Sequence, residues 1–299
     1  MKRPFIDARF YETYYLASAV RNILADQFAF LRRLDEFYGD NRYLALVLPF
    51  KRYSAFHVFV EWVVGSSLTE YTQEVDLEKR KSQFRRFGGL APALNDLRPF
   101  SLPIERALDY YGTPHLSFTN WLDERSKGFL DCDEDDVSEY LLDLRLEGPL
   151  EDFFIRVARE VFFVLFGNRR LLLQFNDMIA SQVCRADLRE IPQDYRHYFD
   201  RDGVLKRSRT PQWAKRTVLF RDRGLCVVCR KDLSGILSAS AVGHFDHMVP
   251  LASGGLNDVS NLQLLCADCN LKKGTSESVT SDHYEDWYPI PEEEGDFGS

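Results

Sequence analysis

The chain has 299 residues, a formal net charge of −8, 45% hydrophobic and 28% charged residues, the composition of a globular chain of one large or two ordinary domains. It contains no apolar run of about 18 residues, which excludes a hydrophobic membrane-spanning helix. The start, MKRPFIDARF, is basic but has no apolar segment behind it, so no secretory signal is expected.

In chain order, residues Asp7 to about Leu34 are rich in Ala, Leu, Phe and Arg without Gly or Pro and predict one long helix. A second helix is expected over about Tyr53–Val64, after Pro49. Breaks are marked at Gly88–Gly89, Pro92, Pro103 and Gly112–Pro114. Helical pattern returns over Asp136–Leu144 and runs strongly through Leu150–Ser181. There Phe153, Phe154, Val157, Val161, Phe162 and Leu165 recur at spacings of three and four, as on a buried helical face. This predicts an α-helical domain over residues 1–190, with no chemistry legible in it. Residues 191–209, polar and charged with Pro192 and Gly203, read as a linker. Thr210-Pro211 offers an N-cap and a first-turn proline for a short helix to about Arg223, with Gly224 placed to stop it.

Charge is distributed unevenly. Residues 1–200 hold 26 Lys/Arg against 32 Asp/Glu, residues 201–275 hold 12 against 6, and residues 276–299 hold 8 acids and no base. A basic module thus lies between acidic neighbours, and a polyanion responds to that local field. Its basic run is Lys206, Arg207, Arg209, Lys215, Arg216, Arg221 and Arg223. The acidic tail, 276–299, reads as solvated, or as an intramolecular competitor for nucleic acid anchored by Trp287-Tyr288-Pro289.

Of six cysteines, Cys132 and Cys184 are isolated, while Cys226/Cys229 and Cys266/Cys269 form two Cys-x-x-Cys pairs. This spacing lets two thiolates meet one tetrahedral ion, and two pairs complete a four-sulfur zinc site with no open position for a substrate. The metal is therefore expected to be structural, in a reducing, cytoplasmic setting. Between the pairs, Phe245–Pro250 reads as a strand, Ser253-Gly254-Gly255 as a flexible turn, Asn261–Leu265 as a second strand and Ala267–Lys273 as a helix.

The two Cys pairs, Asp246-His247 before Pro250, the Gly-Gly, Asn261-Leu262 and the run Cys269-Asn270-x-x-Lys273 occur in order. Residues 211–275 in this respect resemble the HNH endonucleases, specifically their four-cysteine, McrA-like branch. The resemblance implies a zinc-stapled ββα-metal nuclease domain over 210–275, hence an α+β multidomain chain with a helical N-terminal domain. It implies catalytic positions at His247, Asp246, Asn261 and Asn270. His247 would be the general base, and Asp246 and Asn270 the ligands of Mg²⁺ or Mn²⁺. Asn261 would brace the loop and orient the base. Cys226, Cys229, Cys266 and Cys269 would hold structural zinc. Lys272 and Lys273 would join Lys206, Arg207, Arg209, Lys215 and Arg216 at nucleic-acid phosphates. His244 is either an accessory of the site or a packed neighbour. The family's final His is Asn270 here, and Gly274 stands where some members have a further ligand.

The function expected is metal-dependent hydrolysis of DNA, with RNA left open, controlled by a helical sensor domain that takes a regulatory protein or ligand. Prokaryotic antiviral defence is the setting that the family suggests. The competing reading is a zinc-stapled nucleic-acid-binding module without catalysis, with the helical half as an interaction unit. A homo-oligomer cutting both strands is compatible with either.

Overall fold

The computed structural model describes residues 8–87, 100–146, 148–235, 243–274 and 277–282. The expected breaks at Gly88–Gly89 and Pro92, and the Trp287-Tyr288-Pro289 anchor, lie outside them. The chain forms two compact units, residues 1–46 with 51–167, and residues 47–50 with 168–299. None of the described helices is long and apolar enough to cross a membrane.

The described elements of the first unit are helical: α1 (Ala8–Ala25), α2 (Leu31–Tyr38), α3 (Ala55–Gln73), α4 (Leu77–Phe87), α5 (Pro103–Tyr110), α6 (Phe118–Glu124), α7 (Glu134–Leu146) and α8 (Pro149–Leu165). α3 and α8 form the centre, with α1 against both. On α3, Phe56, Phe59, Val60, Val63 and Val64 are at most 1% exposed, the i, i+3, i+4 spacing of one buried stripe. On α8, Val157, Ala158 and Val161 are fully buried opposite it. Each fully buried Phe or Val contributes about 1.5–3 kcal/mol relative to exposure. The start of α3 is fixed by a capping box in which Ser54 accepts from the His57 amide and His57 accepts from the Ser54 amide. A buried carboxylate, Glu105, accepts from the amides of Leu102 (2.6 Å) and Phe118 (2.8 Å), joining the entries of α5 and α6.

Two expected helices are each divided. The helix expected over Asp7–Leu34 ends at Ala25, and α2 restarts at Leu31. The intervening turn puts Asp26 Oδ1 on the Ala29 amide and leaves Phe28 83% exposed, so its apolar side chain gives no packing reason to continue. The pattern through Leu150–Ser181 is split at Gly167. Asn168 caps a new helix, α9 (Arg169–Val183), by accepting from the Leu171 amide at 3.1 Å. Pro103 opens α5 at its first turn and does not interrupt a helix.

α9 belongs to the second unit with α10 (Gln193–Arg196), β1 (Phe199–Arg201), β2 (Val204–Leu205), α11 (Gln212–Arg221), β3 (Gly243–His247), β4 (Leu262–Cys266) and α12 (Ala267–Lys273). Compactness therefore places the division at 167/168, where the sequence suggests a linker over 191–209. That stretch instead carries α10 and an antiparallel β1–β2 pair, with Phe199 and Leu205 each 2% exposed. Pro211, not Thr210, takes the N-cap place of α11, without a side-chain cap bond. Arg221, expected on a basic face, is buried: its Nε and Nη2 reach Asp222 at 2.8 and 3.0 Å. Asp222 also accepts from the Leu264 amide (2.9 Å), and Arg169 of α9 lies 3.5 Å away. These bonds join α9, α11 and β4 around a carboxylate that water does not reach, and the surrounding donors offset its desolvation.

The described part of the acidic tail, residues 277–282, lies along the same unit. Val279 donates to Met248 O (3.2 Å), and Gln263 donates to Val279 O (2.8 Å). Ser281 bonds Val227 O, and Asp282 pairs with Arg170 at 2.6 Å.

Candidate active site

β3 and β4 pair antiparallel in unbroken register, from Gly243 opposite Cys266 to His247 opposite Leu262. α12 follows β4 at once because Cys266 is both the last strand residue and the N-cap, its Sγ taking the Cys269 amide at 3.4 Å. The first Cys pair sits on a knuckle after α11. Cys226 donates its amide to Lys231 O, Arg230 returns a bond to Cys226 O, and Val227 binds Leu264 O on β4. All four Sγ atoms lie within 4.8 Å of one another, with Cys229 and Cys266 at 3.6 Å. Four thiolates 2.3 Å from one tetrahedral zinc would be about 3.8 Å apart, so the donor set and its spacing fit structural zinc. Burial pushes the Cys226 thiol up, but backbone donors from Cys229, Cys266 and Val228 bring it down to about 7, toward the thiolate that a metal needs.

The loop between the strands is tight and braced. Asn261 is fully buried. Its Nδ2 donates to Val249 O (2.9 Å) and Leu256 O (3.0 Å), and its Oδ1 accepts from the Val249 amide (2.9 Å). The Gly-Gly turn, expected to be flexible, is closed by contact: Gly254 has φ +82°, and a Cβ on Gly255 would lie 2.0 Å from Val249 O.

At the end of β3, an open cleft of about 510 Å³ is lined by Asp246, His247 and Lys273 and, from the β1–β2 side, by Asp200, Lys206 and Arg207. His247 is 4% exposed, and its Nε2 is buried without a hydrogen-bond partner. A buried polar atom left unsatisfied at a cleft marks a place for a ligand. Burial, reinforced by the Arg207 guanidinium and outweighing the Asp246 carboxylate, pushes the imidazole down to about 4. It is therefore neutral at pH 7 and able to accept a proton.

Asp246 is half-buried; its Oδ2 is 2.9 Å from Lys273 Nζ and 3.5 Å from Gln263 Nε2. Lys273, expected at a flanking phosphate, is turned inward: its side chain is 5% exposed, and it also donates to His247 O at 2.6 Å. Asn270 is half-buried on α12 and is absent from the cleft lining, which Lys273 joins one turn later. Lys206, Arg207, Arg209, Arg216 and Lys272 are exposed, while Lys215 is half-buried with Nζ 5.8 Å from the Phe245 ring. His244 is half-buried on β3, opposite Leu265. Asn257, just after the Gly-Gly turn, is buried and ties the loop to the cleft wall: its Nδ2 donates to Lys206 O (2.8 Å) and its Oδ1 accepts from the Ser208 amide (3.2 Å), contacts that no motif in the sequence marks.

A two-stranded antiparallel sheet with a four-thiol cluster at one end and an Asp-His pair at the other, and a helix leading out of it, define a ββα nuclease-type module whose thiols fit zinc. Residues 226–276 match the family model of the HNH endonuclease, and the chain carries an HNH endonuclease domain there. No family model matches the helical N-terminal unit. No curated protein and no solved structure matches the chain.

Proposed function

We propose that this chain is a metal-dependent HNH endonuclease that hydrolyses DNA phosphodiester bonds. The observation that carries the reading is the neutral, buried imidazole of His247, whose Nε2 lacks a partner beside Asp246 in a cleft walled by Lys206 and Arg207. An acceptor nitrogen so placed takes the proton of a water attacking phosphorus. Lys206 and Arg207 hold the substrate backbone there as cations, with Arg209, Arg216 and Lys272 on the exposed surface extending that contact.

Asp246 and Asn270 are hard oxygen donors of the kind that Mg²⁺ or Mn²⁺ takes. Both side-chain contacts of Asp246 fall on Oδ2, leaving its other oxygen as a donor. When bound, such an ion supplies charge neutralisation at the phosphorane and stabilises the leaving oxygen. Asn261 holds the loop that presents His247, and the four cysteines hold zinc away from the chemistry. The helical first unit governs when cutting occurs, with defence against foreign DNA as the fitting setting.

Supercoiled plasmid incubated with the purified chain and Mg²⁺, Mn²⁺ or EDTA tests this beside His247→Ala. Metal-dependent nicking, reduced about 10²- to 10⁴-fold in the variant, is expected for loss of a general base. DNA binding without cutting under every metal would leave the zinc-stapled binding module as the reading.

A further inference from the structure

α11 packs by one face. Ala214 and Val218 are fully buried, and the Arg221 side chain is held at Asp222 and at Leu262 O. At about 100° per residue, a position two places beyond a buried one points away from the core. Arg216 and Phe220 stand two places beyond Ala214 and Val218, and both are exposed, Phe220 at 80%. The Arg223 amide donates to Phe220 O at 3.2 Å, which sets exposed Arg223 against the turn that carries the ring. A ring left mostly in water adds little to the core.

The charge around Phe220 is of one sign. Residues 206–231 hold nine Lys/Arg and a single acid, Asp222. That acid is buried, its oxygens taken up by Arg221 and the Leu264 amide. An apolar ring among exposed cations suits nucleic acid, whose phosphates attract the cations and whose base pairs admit the ring. The place of α11 favours DNA over an acidic protein. Arg207 lines the cleft, and α11 starts five residues later at Gln212. Five residues span at most about 18 Å, and Phe220 lies about 12 Å further along the helix. The distance is under one turn of B-DNA, about 34 Å, so one duplex can meet both the cleft and the ring.

We infer that α11 is a duplex-DNA docking element, with Phe220 as a wedge between base pairs and Arg216 and Arg223 at the flanking phosphates. An inserted ring unstacks a step and kinks the duplex by about 20–90°. Pyrimidine–purine steps, which kink most easily, are then the preferred docking places. The inference deepens the DNA reading proposed above and rests on it for the partner.

The test uses the full-length, zinc-loaded chain and a short duplex with a fluorophore at each end, without added Mg²⁺ or Mn²⁺ so that the duplex stays whole. Binding is expected to bring the ends together, read as a rise in energy transfer. Phe220→Ala should weaken binding about tenfold and abolish that rise, leaving the salt dependence unchanged. Arg216→Gln should instead reduce the slope of log affinity against log salt by about 1, as loss of one phosphate contact does. Phe220→Trp should keep both affinity and kink.

Affinity and energy transfer unmoved by Phe220→Ala overturn the proposal, as does weaker binding with the kink intact. Should Phe220→Ala lose zinc or its melting transition, Phe220→Gln decides on the same readings. A Phe220-dependent kink from a protein that cuts nothing under any metal leaves the docking face standing and removes the nuclease reading. Metal-dependent cutting by a protein indifferent to Phe220 does the reverse, and a chain that binds no duplex removes both.

Discussion

Two histidines show how burial sets charge before any partner is considered. His57 stacks on Phe162 with ring centroids 3.6 Å apart, and its Nδ1 is 2.7 Å from Ser54 Oγ at the head of α3. Burial, with the Arg159 charge adding to it, pushes His57 down to about 4. Between that value and the unfolded one near 6.5, the unfolded chain binds more protons, so stability rises with pH across the window. Denaturant unfolding from pH 7 to pH 4 should therefore show progressive loss of stability, with a shallower slope in His57→Gln. An unchanged slope would place the titration elsewhere. His247 is similarly depressed, but its unsatisfied Nε2 lies at a cleft. The Asp246-His247 pair is legible as a candidate because a motif names it. The place of Asn257 is not, because its partners Lys206 and Ser208 lie some fifty residues away in sequence and meet it only in the fold.

At the scale of elements, sequence pattern succeeded where local rules decide. α12 spans the expected residues, and β3 and β4 fall within a few residues of their expected places, since Cys266 serves as strand end, cap and thiol donor at once. It failed where short pieces are held by tertiary contact. The β1–β2 pair has three and two residues, too few to show alternation, yet it carries the chain into the cleft wall at Lys206 and Arg207. The Gly-Gly turn was legible as a turn but not as a close approach. Gly255→Ala would drive a methyl into Val249 O, in the segment whose amide and carbonyl Asn261 engages. It should lower stability by about 1–3 kcal/mol, the cost of forcing an extra methyl into a closely packed position. Urea unfolding beside Gly235→Ala, whose added Cβ meets nothing within 4 Å although φ is +77°, separates close contact from backbone conformation. Equal losses in the two variants would remove the steric account.

For the whole molecule, the second unit extends beyond the HNH match at both ends. α9 precedes it by more than forty residues, contributing Arg169 to the buried Asp222 cluster. Residues 277–282 follow it, binding Met248, Gln263, Val227 and Arg170. Ending the chain at Gly274 should thus lower the melting temperature of the zinc-loaded protein by several degrees, about 1–2 kcal/mol for a unit of this size. An unchanged melting temperature would make residues 277–282 a passive tail. The four residues Val47–Phe50 have a wider bearing. They lie within the sequence of the first unit but fold with the second, where the Phe50 amide holds Asn257. The second unit is thus discontinuous in sequence. A cut at 167/168 leaves Val47–Phe50, and with them the Phe50 amide that binds the Asn257 carbonyl, on the other fragment.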